Sequence, residues 1–490
     1  MKYVSVTSPG SDMSKPIFNY FEDYLVSLGE PVTSNSWDVF SILRHVNKIL
    51  RESPDDAELY IDSGGFQIIV GYVKPERIKE YITAYHYILK KCKDQINQIF
   101  GLDVYSDTFL PSRKVNEGVF LKSNVHANGK VKIKDAKRVP VFPETYSREN
   151  FKEFYEANEF SITSSINLIK EFPEISDKQL FVLQTSNIVT FNMWKELFLN
   201  LEVYKYYKRW SIGGLVGLKK STNAKFSHAV PATLWLLTYQ QKLNFTIDQI
   251  HWLGQSSRLS FLSMALFEKL YGLNMTSDSS QLVRFAPLEA KLPYLIINKE
   301  NEFELISSKE EIYKMFDMHS IPNNICYISK SKNGKVAEFK NLKMIEAWKN
   351  NGKKIPVYDK NTFDTILADD SKPIYFQITD KEFLELTGKL DNQTFIEFQS
   401  QNLFADMKFG ELIADKIVKT GIDNFTEVDQ LKELHPIMER GRIAKELLNN
   451  LSYFKEFKNI IQNADTDAAD NIMQDIVKEY RLKMDNISTK

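Results

Sequence analysis

The chain of 490 residues repeats one pattern over about half its length: a short apolar run that ends in a polar residue or glycine, then an amphipathic stretch. From about residue 31 to residue 283 the runs are candidate strands: ELYID (58–62), NQIFGLD (97–103), LFVLQ (180–184), RWSIGG (209–214), QIHWLG (249–254) and LNMTSD (273–278). Strands separated by helices pair in parallel. The pattern therefore predicts an α/β fold, a (β/α)8 TIM-like barrel whose strands end at one face. A doubly wound sheet is the alternative.

The clearest helix follows the first candidate strand. Pro75 suits a first helical turn. Apolar side chains then recur at three- and four-residue spacing: Ile78, Ile82, Tyr85, Leu89, Cys92, Ile96 and Ile99. This period is that of an amphipathic helix.

We predict three domains, at residues 1–292, 293–400 and 401–490. Three segments depart from the barrel pattern. An insertion at about 107–145 holds an Asn128–Gly129 hairpin signal and eight basic residues. These are Arg113, Lys114, Lys122, Lys130, Lys132, Lys134, Lys137 and Arg138. Residues 293–400 combine short strands with mixed charges, which favours an additional α+β domain. Residues 401–490 are predicted to be mostly helical.

Composition excludes several classes of protein. A formal net charge of −1 gives no global basic field, so nucleic-acid binding would depend on local patches. Two cysteines, Cys92 and Cys326, can build neither a disulfide scaffold nor a Cys-rich zinc site. No signal peptide begins the chain and no run of 18 apolar residues is present, so we expect a soluble, cytoplasmic protein without metal or cofactor.

Polar and glycine residues recur at the predicted strand ends. The chain places Asp62 and Ser63, Asp103, Gln184, Gly213 and Gly214, Leu253, and Asp278 at these positions. Each one alone is usually a helix cap or a turn. A barrel would bring them to one mouth, where Gly64 and Gly65 would let backbone approach a ligand closely.

The order of these motifs resembles the tRNA-guanine transglycosylase superfamily over about residues 30–290. The motifs are, in sequence, DSGGFQ (62–67), a strand ending in Asp, a strand ending in Gln, IGGL, LG and MTSDSSQLVR (275–284). The resemblance implies that Asp278 is the nucleophile and Asp62 an acid/base carboxylate. It also implies that a purine base is bound by Ser63, Gly65, Phe66, Asp103, Gln184, Gly213, Gly214 and Leu253. Phe66 and Leu253 would sandwich the base, and Arg284 is a candidate phosphate ligand. The implied reaction exchanges guanine for a 7-deazaguanine such as preQ0 through a covalent glycosyl-aspartate.

The chain also departs from that family. The tRNA enzymes carry zinc on three cysteines and a histidine after the nucleophile, whereas Cys326 stands alone in that region. This departure favours the phage and bacterial branch that modifies DNA, with DNA as partner. The basic insertion and YKYYKRW (204–210) would then hold phosphates, although both are also typical of solvated surface. A divergent tRNA enzyme and a non-catalytic nucleic-acid-binding protein are the alternatives. The inserted base and the oligomeric state stay open.

Overall fold

The computed structural model describes much of the chain at residue level. The described residues are 1–6, 20–21, 23–27, 43–44, 47, 51, 58–64, 77–94, 96–104, 112–114, 138–140, 145–185, 187–213, 225–279, 294–308, 311, 325–330, 337–339, 357–358, 374–377, 392–439 and 442–488. The chain divides into two compact units. The first comprises 1–114, 138–283 and 403–490, and the second comprises 115–137 and 284–402. The domain limits expected from composition, at residues 292 and 400, stay predictions.

The first unit is a mixed α/β structure built on a closed barrel of parallel strands. Around the barrel the strand order is β1, β10, β9, β8, β7, β4, β3, β2. The strands are β1 (Lys2–Val6), β2 (Tyr24–Ser27), β3 (Leu59–Asp62), β4 (Gln98–Phe100), β7 (Gln179–Gln184), β8 (Arg209–Gly213), β9 (Gln249–Trp252) and β10 (Asn274–Ser279). Closure agrees with the predicted TIM-like barrel and is incompatible with the open doubly wound sheet.

The six predicted strands correspond to β3, β4 and β7–β10, but the first two barrel strands lie outside the predicted range. The alternation was expected to begin near residue 31, whereas β1 already pairs with both β2 and β10. β1 is the sequence KYVSV, in which the apolar run is interrupted by a serine. Its Tyr3, Val4 and Ser5 are nonetheless buried, because the strand is covered on both faces.

In the described part of the chain, five helices connect the later barrel strands. They are α1 (Ile78–Cys92), α2 (Lys152–Glu171), α3 (Ile188–Asn200), α4 (Lys225–Leu243) and α5 (Arg258–Tyr271). Helix α1 buries Ile78, Ile82, Tyr85 and Leu89, as its spacing predicts, but it ends at Cys92. Ile99 belongs to strand β4, so the helical period was extended too far in the prediction.

Between β4 and α2 the ends of the insertion form an antiparallel pair. Strand β5 (Ser112–Lys114) lies against β6 (Arg138–Pro140), with Lys114 opposite Arg138. Pairing these two strands brings the two ends of the basic insertion together. The hairpin signal at Asn128–Gly129 lies outside the described residues.

The barrel interior is filled by alternate residues of the strands. A buried apolar cluster inside it consists of Val4, Leu25, Tyr60, Phe100, Leu180 and Val182, and Leu253 packs against the cluster. Because side chains alternate across a strand, the residues two positions beyond this layer face the same interior. The strand ends therefore place their side chains above a packed apolar floor.

The described part of the C-terminal region contains the helices α6 (Asn392–Thr420), α7 (Val428–Lys432), α8 (Ile443–Gln462) and α9 (Thr466–Ser488). Helices α8 and α9 pack on helix α4 of the barrel. Asp470 of α9 accepts hydrogen bonds from Trp235 (2.8 Å) and Tyr239 (3.0 Å) of α4 and pairs with Lys195 of α3. Asn450 of α8 donates to Ser263 of α5 (3.0 Å). These contacts cover α4 and α5, whose apolar side chains would otherwise face water.

The second unit contains short strands. Strands β11 (Tyr294–Ile297) and β12 (Phe303–Ile306) form an antiparallel pair. A four-stranded mixed sheet has the order β14 (Ala337–Phe339), β13 (Ile325–Lys330), β16 (Ile374–Gln377), β15 (Val357–Tyr358). Among the described helices of the whole chain, none is long and apolar enough to cross a membrane.

Candidate active site at the barrel mouth

The predicted polar residues lie at the carboxyl end of the parallel barrel. Asp62 and Gln184 are the last residues of β3 and β7, and Asp278 is the fifth of the six residues of β10. Gly213 ends β8, and Leu253 follows β9 directly. In parallel barrels this end gathers functional side chains. The structure therefore places these residues at one mouth.

Asp103 and Gln184 form a buried pair on one side of the mouth. Gln184 donates a hydrogen bond from Nε2 to Asp103 Oδ2, and both side chains are almost fully buried. Burial, followed by the charge of Asp62, raises the pKa of the Asp103 carboxyl to about 7. Gln184 Oε1 is buried without a hydrogen-bond partner in the described part of the chain. A buried acceptor without a donor is costly, so this atom is suited to a ligand that brings one.

Gly213 is required by the position of the Gln184 side chain. A Cβ at residue 213 would lie 2.6 Å from Gln184 Nε2 and 2.9 Å from Val182 Cγ1. Glycine pairs in this sequence were expected to allow backbone to approach a ligand. At Gly213 the close approach observed is to the Gln184 amide, so the glycine makes room for the side chain that faces the mouth.

The segment that carries Asp103 is held from helix α2. Ser161 donates to the carbonyl of Leu102 (2.8 Å), and the Asn158 side-chain carbonyl accepts from the N–H of Val104 (2.9 Å). Both flanking residues of Asp103 are thus fixed by buried side chains. This arrangement keeps the Asp103 carboxyl in place although it lies beyond the end of β4.

The segment after Asp62 is held from helix α1. The Tyr81 hydroxyl donates to the carbonyl of Ser63 at 2.5 Å, and Gly64 has a φ of 81°. A φ in this region favours glycine, which has no Cβ to hinder it. Burial, with the nearby carboxylates of Asp62 and Asp103, raises the pKa of Tyr81 far above its usual range, so its hydroxyl remains a donor.

Asp278 lies on the other side of the mouth and is surrounded by donors. Its Oδ1 accepts hydrogen bonds from His251 Nε2 (3.0 Å) and from the backbone N–H of Gly254 (2.8 Å). Within the described residues, both hydrogen bonds of the carboxylate go to this one oxygen, which leaves Oδ2 for another partner. Asp278 is only 8% exposed.

His251 is a candidate functional residue that the sequence reasoning missed. It is fully buried on β9, and its ring lies 4.7 Å from that of Phe100 in an edge-on contact. Consecutive strands of a βα barrel are neighbours, so the sequence indicates that β9 and β10 pair. The register comes from the structure: His251 is directly opposite Thr276, two residues before Asp278 on the same face.

Four expected ligand residues lie outside the described residues: Gly65, Phe66, Gly214 and Arg284. Leu253 is partly buried and packs on the apolar floor of the mouth.

The YKYYKRW segment does not belong to the mouth. It precedes β8 and enters its first residues, at the opposite end of the barrel, and its Tyr207 and Trp210 are buried core residues. Phosphate binding by this segment stays a prediction, and its position separates it from the mouth. Its aromatic residues fill the space between barrel and helices, as shown by Phe181, which contacts both rings.

The described residues contain no group of three or more His, Cys, Asp or Glu side chains that could hold a metal ion. The absence of a zinc site and of any cofactor stays a prediction. No protein-family model matches the chain, and no curated protein has a similar sequence. Any assignment of function therefore depends on the geometry of the mouth and on the motifs it brings together.

Proposed function

We propose that this protein is a glycosyltransferase that exchanges guanine for a 7-deazaguanine base in DNA. The observation that carries the proposal is the environment of Asp278. One oxygen is fixed by His251 and the N–H of Gly254, at a mouth whose other side presents the Asp103–Gln184 pair. A nucleophile held by one oxygen, facing a buried polar pair that can read a base, is what a base-exchange reaction needs.

The Asp103–Gln184 pair supplies acceptors for the edge of a guanine-like base. Guanine carries donors at N1 and N2, which suit an ionised Asp103 and the unpartnered Oε1 of Gln184. Because the pKa of Asp103 is raised to about 7, the carboxylate forms near neutral pH. A bound base that donates two hydrogen bonds would favour that carboxylate further.

The exchange proceeds in two displacements at the sugar. Asp278 Oδ2 bonds to C1′ as the C1′–N9 bond breaks, and the electron pair passes to N9 of the departing guanine. Asp62 gives that nitrogen a proton. The incoming 7-deazaguanine returns a proton from its own N9 to Asp62, and N9 then attacks C1′ and releases the Asp278 carboxylate. Two inversions retain the configuration of the sugar, and no water is consumed.

The nucleotide must leave its base stack to reach a buried carboxylate. Unstacking is a cost of a few kcal/mol that enzymes acting on bases offset with contacts in the site. The apolar floor and Leu253 offer a surface for part of the purine ring. The paired ends of the basic insertion, with Arg113, Lys114 and Arg138, favour a polyanion as partner.

A direct competition tests the proposal. Purified protein is given labelled guanine or preQ0 together with DNA, single- or double-stranded, or with total tRNA. Label in DNA supports the proposal, and label in tRNA alone replaces it with the tRNA reaction. Binding of both nucleic acids without label transfer would make the protein a non-catalytic binder. The matched control is Asp278→Asn, which preserves shape and removes the nucleophile.

A further inference from the structure

Inside the barrel, a chain of hydrogen bonds runs from the amino end of β8 to Asp278. It passes from Arg209 through Gln249, Thr276 and His251 to the carboxylate. We propose that this barrel hydrogen-bond chain locks His251 as a neutral imidazole with its proton on Nε2. His251 is then a positioning residue that fixes Asp278 Oδ1 and leaves Oδ2 for attack. The catalytic part of this inference rests on the proposed function, whereas the tautomer does not.

The direction of the chain is set at Arg209. A guanidinium can only donate, and Arg209 donates to Gln249 Oε1 at 3.3 Å. The amide of Gln249 therefore has one orientation, with Nε2 pointing the other way. From Nε2 it donates to Gln98 Oε1 and to Thr276 Oγ1, each at 3.0 Å. Both amide protons of Gln249 are therefore used in these two hydrogen bonds.

Thr276 determines the direction of the hydrogen bond to His251. Its hydroxyl accepts from Gln249 and has one proton to give, and His251 Nδ1 lies 2.8 Å away. In the described part of the chain, the partners of this hydroxyl are Gln249 and His251, so the proton goes to Nδ1. An imidazole nitrogen that accepts carries no proton. The proton of neutral His251 is therefore on Nε2, which donates to Asp278 Oδ1 at 3.0 Å.

Burial makes this assignment firm. Gln249, Thr276 and His251 are each at most 2% exposed, so water does not compete for their hydrogen bonds. The ring is also held in place by the edge-on contact with Phe100 and by Tyr60. The histidine can neither rotate nor exchange partners without leaving buried polar atoms unpaired.

A neutral donor suits a nucleophile better than a charged one. An imidazolium beside Asp278 would form an ion pair and hold the negative charge that has to attack C1′. A neutral Nε2–H orients the carboxylate and leaves its charge in place. With Gly254 on the same oxygen, Oδ1 is occupied by two donors.

The decisive variant is Gln249→Glu, which is isosteric and reverses the direction of the chain. The introduced carboxylate accepts the Thr276 proton, so Oγ1 then accepts from His251 Nδ1–H. The matched control is Gln179→Glu. Gln179 is an equally buried barrel glutamine that donates to Ser165 (3.1 Å) and, among the described residues, forms no hydrogen bond with members of the barrel hydrogen-bond chain.

The first measurement is nitrogen NMR of ¹⁵N-histidine-labelled protein at pH 7.5, with the His251 signal assigned by its loss in His251→Gln. We expect the shifts of a neutral Nε2–H imidazole in the wild type and in Gln179→Glu. We expect a protonated Nδ1 in Gln249→Glu. An imidazolium or an Nδ1–H imidazole in the wild type, or an unchanged tautomer in Gln249→Glu, would overturn the inference.

The second measurement is the rate of base exchange. Because a hydrogen bond to a charged group is worth about tenfold to a hundredfold, Gln249→Glu and Thr276→Val should lower kcat by that factor. KM for the free base should stay the same, because Asp103 and Gln184 read the base. Thr276→Ser keeps the hydroxyl and should restore the rate, which a packing defect would not permit. Equal rates in Thr276→Val and wild type would refute the positioning role.

The two proposals fail separately. If the NMR tautomer switches as expected but wild-type protein exchanges no base in DNA or tRNA, the proposed function is wrong and the tautomer assignment stands. If base exchange occurs while His251 is an imidazolium, the proposed function stands and the barrel hydrogen-bond chain does not act as described.

Discussion

The two halves of the barrel mouth each hold a buried aspartate, but the partners of the two carboxyl groups differ. Asp103 meets the Gln184 amide and its own backbone N–H, and it lies in the field of a second carboxylate, Asp62. Asp278 meets two donors, His251 and the N–H of Gly254. One residue type is therefore placed near a second carboxylate on one side of the mouth and beside a histidine on the other.

The difference teaches how a single mouth can carry two roles. A carboxyl with a pKa of about 7 changes charge near neutral pH, which suits recognition of a ligand that brings its own donors. A carboxylate fixed through one oxygen is suited to attack with the other. The following predictions test this division, from the largest expected effect to the smallest.

Asp278→Asn should reduce base exchange at least about a thousandfold, because an amide is not a nucleophile at C1′. Nucleic-acid binding should persist, since the shape of the side chain is kept. Single-turnover incorporation of labelled guanine measures the first effect and a binding titration the second. Incorporation at near wild-type rate would remove Asp278 from the role of nucleophile.

Asp62→Ala should slow turnover by about a hundredfold, because a positioned acid or base typically contributes that much or more to proton transfer. Affinity for the free base should change little. The comparison to make is with Asp103→Ala in the same assays. If rate and affinity fell in equal proportion in both variants, the two carboxylates would not have separate roles.

Asp103→Asn should change how stability depends on pH. Between about pH 4 and pH 7 the unfolded chain has released this proton and the folded chain has not, so wild-type stability falls as pH rises through that window. The amide has no such loss and can still accept from Gln184. At pH 8 the free energy of unfolding of the variant should therefore be about 2–4 kcal/mol higher than that of the wild type.

The control for that experiment is pH 4, where both side chains are neutral in the folded state and the two stabilities should nearly coincide. Urea titrations at pH 4, 6 and 8 supply the measurement. A constant difference across this range would show that the Asp103 carboxyl does not carry the raised pKa.

Asp103→Ala should weaken binding of the free base by about 1–3 kcal/mol, since a buried hydrogen-bonding partner is lost. Wild-type affinity should rise as pH increases through about 7, where the carboxylate forms, and the variant should lose this dependence. Base affinity measured from pH 6 to pH 8 in the wild type and in the variant tests this difference. A pH-dependent affinity in the variant would assign the titration to another group.

Gly213→Ala should weaken base binding by a smaller factor, about threefold to tenfold, because the added Cβ displaces the Gln184 amide from Asp103. A double-mutant cycle tests the cause. In a Gln184→Ala background the same glycine substitution should have little further effect, since the displaced group is gone. Additive effects would mean that Gly213 acts through the ligand or the backbone instead.

Much of the mouth could be predicted because strand ends follow simple periodicity. Asp62, Gln184 and Asp278 extend the interior-facing alternation of their strands, and parallel order brings them to one end. The role of His251 required knowing which residues lie opposite each other on β9 and β10. Gly213 could be recognised as special, but the atom that it accommodates belongs to a distant residue.

The remaining misses have physical causes too. The KYVSV strand is short and lies next to polar sequence, and its burial comes from neighbours that no local window contains. In YKYYKRW the alternation of aromatic and basic residues fits either a phosphate-binding surface or a strand packed in the core. Tertiary packing decides in favour of core for Tyr207 and Trp210.

The pairing of β1 with β10 has a consequence for how the protein is made. Residues 4 and 278 are neighbours in the barrel although nearly the whole barrel sequence separates them. Contacts of such long range form slowly, because the chain must lose much loop entropy before it gains them. A growing chain on the ribosome therefore has Asp62, Asp103 and Gln184 long before the strand that carries Asp278 can close the ring. Under the proposed function, nascent and truncated chains would have the base-reading residues without the nucleophile, and base exchange would begin only when the barrel is complete.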